Sequence, residues 1–274
     1  NFSLNFKHLI IVFILWNFFK LFTINSDPII QLLNALLCIG MFFDIEDRNE
    51  EFDIRKKINF STFIGLVLFL ITIIRSFILT NVEDKYYYFL LPLGIISISL
   101  IGNKYLGNKF FRNIILISLL LPLRRVFFFL ANPVLLFFTK YLTWFLLFCL
   151  GSEPNLIERS IFIGGSELVI SDGCGGSDNL YFAISAVIIY TIIFRLRNNI
   201  NRLLIFFTTI IIPIVTNVIR NTSLALIITL EDSYRDKFFN FFHDSYGSLI
   251  FSLISLFIIS FVYLKLLNKE LTLE

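Results

Sequence analysis

Apolar residues run along this chain in long blocks that are separated by short polar stretches. The blocks lie at 8–24, 28–43, 59–80, 86–101, 110–130, 133–150, 178–194, 203–230 and 246–264. A helix needs roughly 20 apolar residues to cross a bilayer, and most of the blocks have this length. The block at 110–130 is interrupted by Pro122, Arg124 and Arg125. The pattern predicts an all-α, polytopic helical bundle embedded in a membrane.

The charges of the polar stretches predict the topology of this bundle. Cytoplasmic loops of membrane proteins carry an excess of Lys and Arg. Lys and Arg residues lie in the loops at 44–58 (Arg48, Arg55, Lys56 and Lys57), 102–112 and 195–202, whereas the loops at 151–176 and 231–245 are rich in acidic residues. These loop charges are consistent with a single topology only if the interrupted block at 110–130 does not cross the membrane fully. The uninterrupted apolar part of this block has a length typical of re-entrant or interfacial segments. We therefore predict about eight spanning helices, both termini in the cytoplasm and the acidic loops outside.

The composition narrows the class of protein further. Of 274 residues, 57% are hydrophobic and only 16% are charged, so lipid must be the solvent for most of the chain, which we expect to form one integral membrane domain over 1–274. The first block is followed by many more, which indicates an anchor rather than a removed signal peptide. Basic residues form no continuous patch, so we expect no nucleic acid partner. Three scattered cysteines and no His/Glu/Asp ligand set predict neither a metal site nor a cofactor.

The acidic loop at 151–176 has a pattern of its own. Two short apolar runs, at 161–163 and 168–170, flank Gly164-Gly165. Short β-branched and aromatic runs around a Gly-Gly turn are typical of a β-hairpin. We expect a small extracytoplasmic hairpin that leads directly into the region at 174–247, which contains the candidate catalytic residues.

Cys174 lies in the stretch SDGCGGSD, directly before the helix predicted from 178. The flanking Gly173, Gly175 and Gly176 let another backbone approach closely. A thiol at a helix N-terminus lies at the positive end of the helix dipole, which favours the thiolate, and the N–H groups of the first turn can hold an oxyanion. These features suit a nucleophile. From Cys174 alone, an incidental cysteine in a flexible loop or a disulfide with Cys149 remains an open alternative.

A second signal lies in the sequence TNVIRNTSL, where Asn217 and Arg220 share one face of a helix. Arg220 is about 15 Å from the end of its apolar block, which places it near the middle of the bilayer. A guanidinium costs at least ~2.5–3.5 kcal/mol there, so such residues usually serve a site. A structural arginine paired with backbone carbonyls is the alternative. Arg124 is a further candidate, although a structural or positive-inside role explains it equally well.

A third signal is FFHDSYG, with His243 at the entrance to the last block and Gly247 four residues later. The other histidine, His8, is expected on the opposite side of the membrane. His243 is therefore the imidazole that we expect to reach Cys174, and imidazole is the usual general acid and base near neutral pH.

These three motifs, in this order, resemble the exosortase/archaeosortase family, and the GC-x-G-x-D pattern around Cys174 is most similar to its cyanobacterial branch, the cyanoexosortases. The resemblance covers 170–250 by motif and the whole chain by its many-span layout. Asp172 stands where many members have an acid, two positions before the cysteine. The basic residue that many members have soon after the cysteine is replaced here by Ser177-Asp178.

The resemblance implies a membrane cysteine transpeptidase or endopeptidase of the bacterial inner membrane, with its active site on the extracytoplasmic side. Its partners would be surface proteins with a tripartite C-terminal signal of the PEP-CTERM type: a short motif, an apolar helix and a basic end. The acceptor would be a lipid, a glycan or water. In this mechanism Cys174 is the nucleophile, His243 the acid and base, and Arg220, oriented by Asn217, stabilises the thiolate or oxyanion.

Two other classes of function compete with this interpretation. A transporter or channel would use Arg220 to bind an anion within the membrane, but the chain has no paired broken helices and no second cluster of intramembrane charges. A non-catalytic scaffold for polysaccharide export would leave the combination of thiol, guanidinium and imidazole unexplained.

Overall fold

The computed structural model describes residues 6–24, 27–46, 59–78, 87–102, 109–230, 232–243 and 245–272. The predicted helical character is confirmed, because helices make up most of these ranges. They are α1 (Phe6–Ile24), α2 (Pro28–Glu46), α3 (Phe60–Ile78), α4 (Tyr87–Ile101), α5 (Lys109–Cys149), α6 (Ser177–Ile193), α7 (Asn199–Ile227), α8 (Asp232–His243) and α9 (Ser245–Leu271).

Six helical segments of the described ranges are long and apolar enough to cross a membrane, and they belong to α2, α3, α5, α6, α7 and α9. Two shorter apolar helices lie at His8–Ile24 and Tyr87–Ile101. The large apolar side chains on the outside of α3 suit a lipid environment, since little of this helix is buried. These features make the chain a multi-pass membrane protein, while the number of about eight spans stays a prediction.

Two boundaries differ from those expected. The blocks at 110–130 and 133–150 form one continuous helix, α5, of 41 residues, because a helix in an apolar environment tolerates internal prolines such as Pro122 and Pro133. At about 60 Å it is longer than a bilayer is thick. The stretch at 231–245, expected to be a loop, contains the 12-residue helix α8.

The chain divides into two compact units, the first formed by 1–123 and 188–193 and the second by 124–187 and 194–274. In the first unit, α4 contacts both α1 and α3. Gly65 of α3 faces the backbone of α4 so closely that a Cβ atom would lie 2.8 Å from the nitrogen of Ile101, a close approach of the kind that small residues allow between membrane helices. That the whole chain is a single domain stays a prediction.

In the second unit, a three-stranded antiparallel sheet is ordered β1 (Asn155–Ile157), β2 (Ser160–Ile163) and β3 (Ser166–Val169). The predicted hairpin is confirmed as β2 and β3, and its turn residues Gly164 and Gly165 have φ angles of +56° and +81°, which suit glycine. Strand β1 was not predicted. The location of the sheet outside the cytoplasm stays a prediction.

One face of this sheet forms part of the core of the second unit. Ile161, Leu168 and Ile170 are buried together with residues of α5 and α7, and with Cys174. Phe239 and Phe242 of α8 pack against the same cluster. The cluster therefore fixes the sheet and α8 in the surroundings of the cysteine.

Candidate active site

The polypeptide reaches Cys174 directly from strand β3. Ile170 and Ser171 follow the strand and precede a short 3₁₀ turn, Asp172–Cys174, and α6 then begins at Ser177. The N–H of Cys174 donates to the carbonyl of Ser171 over 2.9 Å, which closes the turn. The expected position of the thiol, immediately before a helix, is confirmed.

The thiol of Cys174 is buried, with 3% of the residue exposed. Its sulfur lies 3.4 Å from the hydroxyl oxygen of Ser171, and that serine is exposed. All three cysteines of the chain are free, so the alternative of a disulfide between Cys149 and Cys174 is absent from the structure. The sulfur is thus largely enclosed by the protein and contacts the hydroxyl of a serine that is itself exposed.

Two amides of α7 hold the main chain of Cys174 in place. The carbonyl oxygen of Cys174 accepts hydrogen bonds from Nδ2 of Asn217 over 2.8 Å and from Nδ2 of Asn221 over 3.1 Å. The hydroxyl of Thr139 in α5 donates to the next carbonyl, that of Gly175, over 3.1 Å. Because these groups are buried, the bonds fix Cys174 against both helices.

The glycines around Cys174 have different roles. Gly176 has a φ angle of +81°, and a Cβ atom there would lie 2.6 Å from Nδ2 of Asn217; at Gly175 it would lie 2.5 Å from Oδ1 of Asn132. A close approach therefore exists at these two positions, but the approaching groups are side-chain amides rather than the backbone that was expected. At Gly173 a Cβ atom would meet only the hydroxyl of Ser171, at 3.9 Å, so no close approach requires this glycine.

Arg220 of α7 is buried, with 5% of the residue exposed. Its Nη1 donates to Oδ1 of Asn217 over 3.4 Å, and its Nε donates to the carbonyl of Phe242 over 3.4 Å. The guanidinium is close enough to Cys174 for an attractive electrostatic interaction with a thiolate. Asn217 thus contacts the cysteine with one end of its amide and the arginine with the other.

His243 is the last residue of α8 rather than part of a loop. It is exposed, and its ring stacks on Phe239 with the centroids 5.1 Å apart. Since Phe239 packs against the cluster that contains Cys174, and Arg220 binds the carbonyl of the preceding Phe242, α8 carries the imidazole into the neighbourhood of the site.

Gly247 allows the first turn of α9 to pack against the end of α8. A Cβ atom at this position would lie 2.5 Å from Cα of Phe242 and 2.8 Å from its carbonyl oxygen. This is the same carbonyl that Arg220 binds. The spacing between His243 and Gly247 therefore reflects a backbone contact that supports the arginine.

Two of the predicted site residues form ion pairs of their own. Asp172 is exposed and pairs with Arg159 of the β1–β2 turn over 3.1 Å. Arg124 of α5 forms a two-pronged pair with Asp178 in the first turn of α6, over 3.0 and 3.1 Å. Arg124 is thus connected to the helix that follows the cysteine, and the pair supports the structural alternative for this residue.

Sequence patterns did not identify four residues next to the cysteine, namely Ser171, Asn132, Thr139 and Asn221. Asn221 follows Asn217 by one helical turn, so its place on the same helix face was available as a signal. The others depend on contacts between distant parts of the chain.

Buried Oδ1 atoms of Asn132 and Asn221 have no hydrogen-bond partner among the described residues, and such positions suit ordered water. The described part of the chain also contains no group of three or more His, Cys, Asp or Glu side chains that would hold a metal ion.

Comparison with known protein families gives a match over most of the chain. The family model described as Transmembrane exosortase (Exosortase_EpsH) matches residues 25–260. No curated protein matches this chain. No solved structure matches it either. The matched family implies a membrane peptidase or transpeptidase kind of enzyme. Since the match covers most of the sequence, including the cysteine, arginine and histidine motifs, the chain belongs to the transmembrane exosortase family.

Proposed function

We propose that this chain is a membrane cysteine transpeptidase or endopeptidase that uses Cys174 as its nucleophile. The observation that carries the proposal is the connection of Cys174 to a buried guanidinium through Asn217. A buried cation is costly unless a negative group compensates it. A thiolate, and later the oxyanion formed from the scissile carbonyl, would provide that negative charge at this position.

The proposed reaction has two halves. The Cys174 thiolate attacks the carbonyl carbon of the scissile peptide bond, and the carbonyl π electrons move to the oxygen, where Arg220 stabilises the oxyanion. Collapse of this intermediate breaks the C–N bond, leaves a thioester on Cys174 and releases the amine, to which His243 gives a proton. The acceptor then loses a proton to His243, attacks the thioester and regenerates the thiolate.

Proton transfer does not involve Asn217, Asn221 or the glycines, which instead hold Cys174 in position. The amides fix the carbonyl of Cys174, so that the thiolate keeps one orientation relative to Arg220. Such preorganisation reduces the reorganisation needed at the moment of reaction. Arg124 would contribute through Asp178, by holding the start of α6.

The substrates of the proposed enzyme are surface proteins with a C-terminal signal of the PEP-CTERM type, and the acceptor is a lipid, a glycan or water. We further propose an inner-membrane location, an active site on the extracytoplasmic side, cytoplasmic termini and a link to exopolysaccharide. The GC-x-G-x-D pattern at Cys174 supports the cyanobacterial branch of the family.

Co-expression with a tagged candidate substrate tests this function. The wild type should remove the tail of a protein that ends in a short Pro-Glu-Pro motif, an apolar helix and a basic end, while Cys174→Ala should leave it intact at an equal level of membrane protein. Cys149→Ala is a matched control, because Cys149 is also free and is exposed, and this variant should cleave normally. Tail loss that persists in Cys174→Ala would disprove the nucleophile.

A further inference from the structure

Strand β3 is an edge of the three-stranded sheet, because it pairs with β2 on one side only among the described strands. Its register sets Ser160 opposite Val169 and Phe162 opposite Glu167. The N–H of Ile170 donates to the carbonyl of Arg159 over 2.8 Å, which identifies that pair as hydrogen-bonded. Since hydrogen-bonded and non-bonded pairs alternate in an antiparallel ladder, the backbone groups of Glu167 and Val169 point away from β2.

Most of these outward groups have no backbone partner within the described part of the chain. The carbonyl of Val169 accepts from the N–H of Ser171 over 3.1 Å. The N–H and carbonyl of Glu167 and the N–H of Val169 remain as donors and acceptors along the edge. Both residues are exposed. A row of such groups is complementary to another extended backbone.

The position of this edge connects it to the candidate nucleophile. Val169 ends β3, Ser171 contacts the sulfur of Cys174, and only residues 170–173 separate the strand from the cysteine. A peptide that pairs with β3 and continues beyond Val169 therefore arrives at the thiol. Attack by a cysteine requires that the substrate segment around the scissile bond is held in a fixed, extended conformation. Strand pairing provides this conformation through main-chain hydrogen bonds alone.

We infer that the edge of β3 binds the segment of the substrate that carries the scissile bond, as an added strand. This inference rests on the proposed function and names the mode of recognition at the same site. The ligand class is an extended peptide, and its affinity comes from main-chain hydrogen bonds to Glu167 and Val169. Recognition of this kind tolerates changes of substrate sequence except where side chains enter pockets.

A pocket beside the same sheet provides such a place for side chains. It has a volume of about 510 Å³. Charged and aromatic groups line it, including Lys140, Glu158, Arg159, Phe162 and Glu167. Since Phe162 and Glu167 face each other across β2 and β3, the pocket is continuous with the strand that we assign to the substrate.

Replacing Val169 by proline tests the main-chain bond specifically. Proline removes the outward N–H but suits an edge strand, and it favours an extended conformation for the preceding Leu168, so the sheet should remain folded. Val169→Ala keeps the N–H and is the matched control. We expect Val169→Pro to remove the tail about 10-fold or more slowly than Val169→Ala, since only the proline variant loses the hydrogen bond of this N–H and the strand register that depends on it. Alkylation of Cys174 at the wild-type rate in both variants will show that the turn is intact.

Photo-crosslinking in a Cys174→Ala background tests the location without requiring cleavage. Val169 and Ile157 are 55% and 52% exposed, lie on opposite edges of the sheet and are both paired with Ser160. With p-benzoylphenylalanine placed at either position, the tailed substrate should crosslink from 169 and much less from 157.

The outcomes separate this inference from the proposed function. Equal crosslinking from both edges, none from 169, or cleavage by Val169→Pro at the rate of Val169→Ala would overturn strand addition while wild-type cleavage continues. If the wild type leaves the tailed substrate uncut while Cys174→Ala behaves identically, the proposed function fails, and the assignment of β3 to its substrate fails with it.

Discussion

At the scale of single residues, Asn217 connects the cysteine motif to the arginine in the candidate site. Its Nδ2 binds the carbonyl of Cys174 and its Oδ1 accepts from Arg220. Cysteine, arginine and histidine were identifiable from sequence because their chemistry is unusual in an apolar chain. Ser171 was not, because a serine in a polar loop has no special pattern and only the fold brings its hydroxyl to the sulfur.

The first prediction concerns the shape of the cation. Arg220→Lys keeps the charge but removes the planar group that reaches Asn217 and the carbonyl of Phe242 at the same time. We expect tail removal to fall at least ~100-fold, as for the loss of an oxyanion donor. The measurement is the rate of tail removal at an equal amount of protein in the membrane.

The matched control is Arg235→Lys in α8, where the arginine is in an exposed pair with Asp236. This variant should cleave at the wild-type rate. An Arg220→Lys enzyme as active as the wild type would show that charge alone is required at this position.

The second prediction concerns Ser171. Its hydroxyl can donate to the thiolate, so Ser171→Ala should slow alkylation of Cys174 by iodoacetamide about 3- to 10-fold at neutral pH, the range for a hydrogen bond to a charged group that is partly open to solvent. A Cys149→Ser background removes the exposed competing thiol. Ser171→Thr keeps a hydroxyl and should retain most of the rate. Unchanged alkylation in Ser171→Ala would exclude a contact between hydroxyl and thiolate in solution.

At the scale of elements, the site depends on how closely α7 approaches the turn before α6. A buried cluster reinforces this packing: Nδ2 of Asn179 in α6 lies within 3.3 Å of the hydroxyl oxygens of Thr216 in α7 and Ser255 in α9. Hydrogen bonds of this type hold membrane helices together where lipid provides no hydrophobic driving force. The cysteine turn contains two glycines with different surroundings, because Gly176 lies against α7 and Gly173 does not. Substitutions at these two positions test the packing of α7 against the turn.

The third prediction uses these two glycines. Gly176→Ala would force an alanine into a left-handed conformation and against Asn217, at 2.6 Å, whereas Gly173→Ala meets no atom closer than 3.9 Å. We expect Gly176→Ala to abolish tail removal, and Gly173→Ala to keep the activity within a few-fold of the wild type. Equal loss in both variants would instead favour a general need for flexibility in this turn.

The fourth prediction concerns the pair between Arg124 and Asp178. Breaking it leaves a partly buried charge without its partner, so Arg124→Gln should lower the free energy of unfolding by about 1–3 kcal/mol, measured in detergent as a lower melting temperature. Arg124→Gln combined with Asp178→Asn should recover part of this loss. If Arg124→Gln abolished tail removal at unchanged melting temperature, Arg124 would have a direct role in the reaction.

The elements missed by the sequence analysis have physical explanations. Helix α8 contains polar residues and two pairs of phenylalanines rather than an apolar run, and Phe239 and Phe242 are the members of these pairs that pack on the core cluster. Helix α5 continues through prolines that end helices in water but are tolerated in apolar surroundings. The pattern of apolar blocks predicts neither feature, because both depend on contacts with other parts of the structure or with lipid rather than on local hydrophobicity.

At the scale of the whole molecule, the long blocks of apolar residues were sufficient to predict a multi-pass helical protein. The charges of the loops between them predicted which loops face the cytoplasm.

The fifth prediction tests this topology with the exposed thiol of Cys149 at the end of α5. A membrane-impermeant maleimide should label Cys149 from outside in intact cells, whereas a cysteine introduced by Asn199→Cys at the start of α7 should need permeabilised cells. The reverse pattern would invert the topology and place the cysteine site in the cytoplasm.

The central claim is that Cys174 forms a covalent bond with its substrate next to Arg220. The most direct measurement is a search for the thioester, by intact mass and by gel, after brief mixing of the detergent-solubilised enzyme with a tailed substrate. We predict an adduct on Cys174 that hydroxylamine removes, present in the wild type and in Cys149→Ala and absent in Cys174→Ala. Cleaved substrate without such an adduct, in amounts equal for the wild type and Cys174→Ala, would contradict the claim.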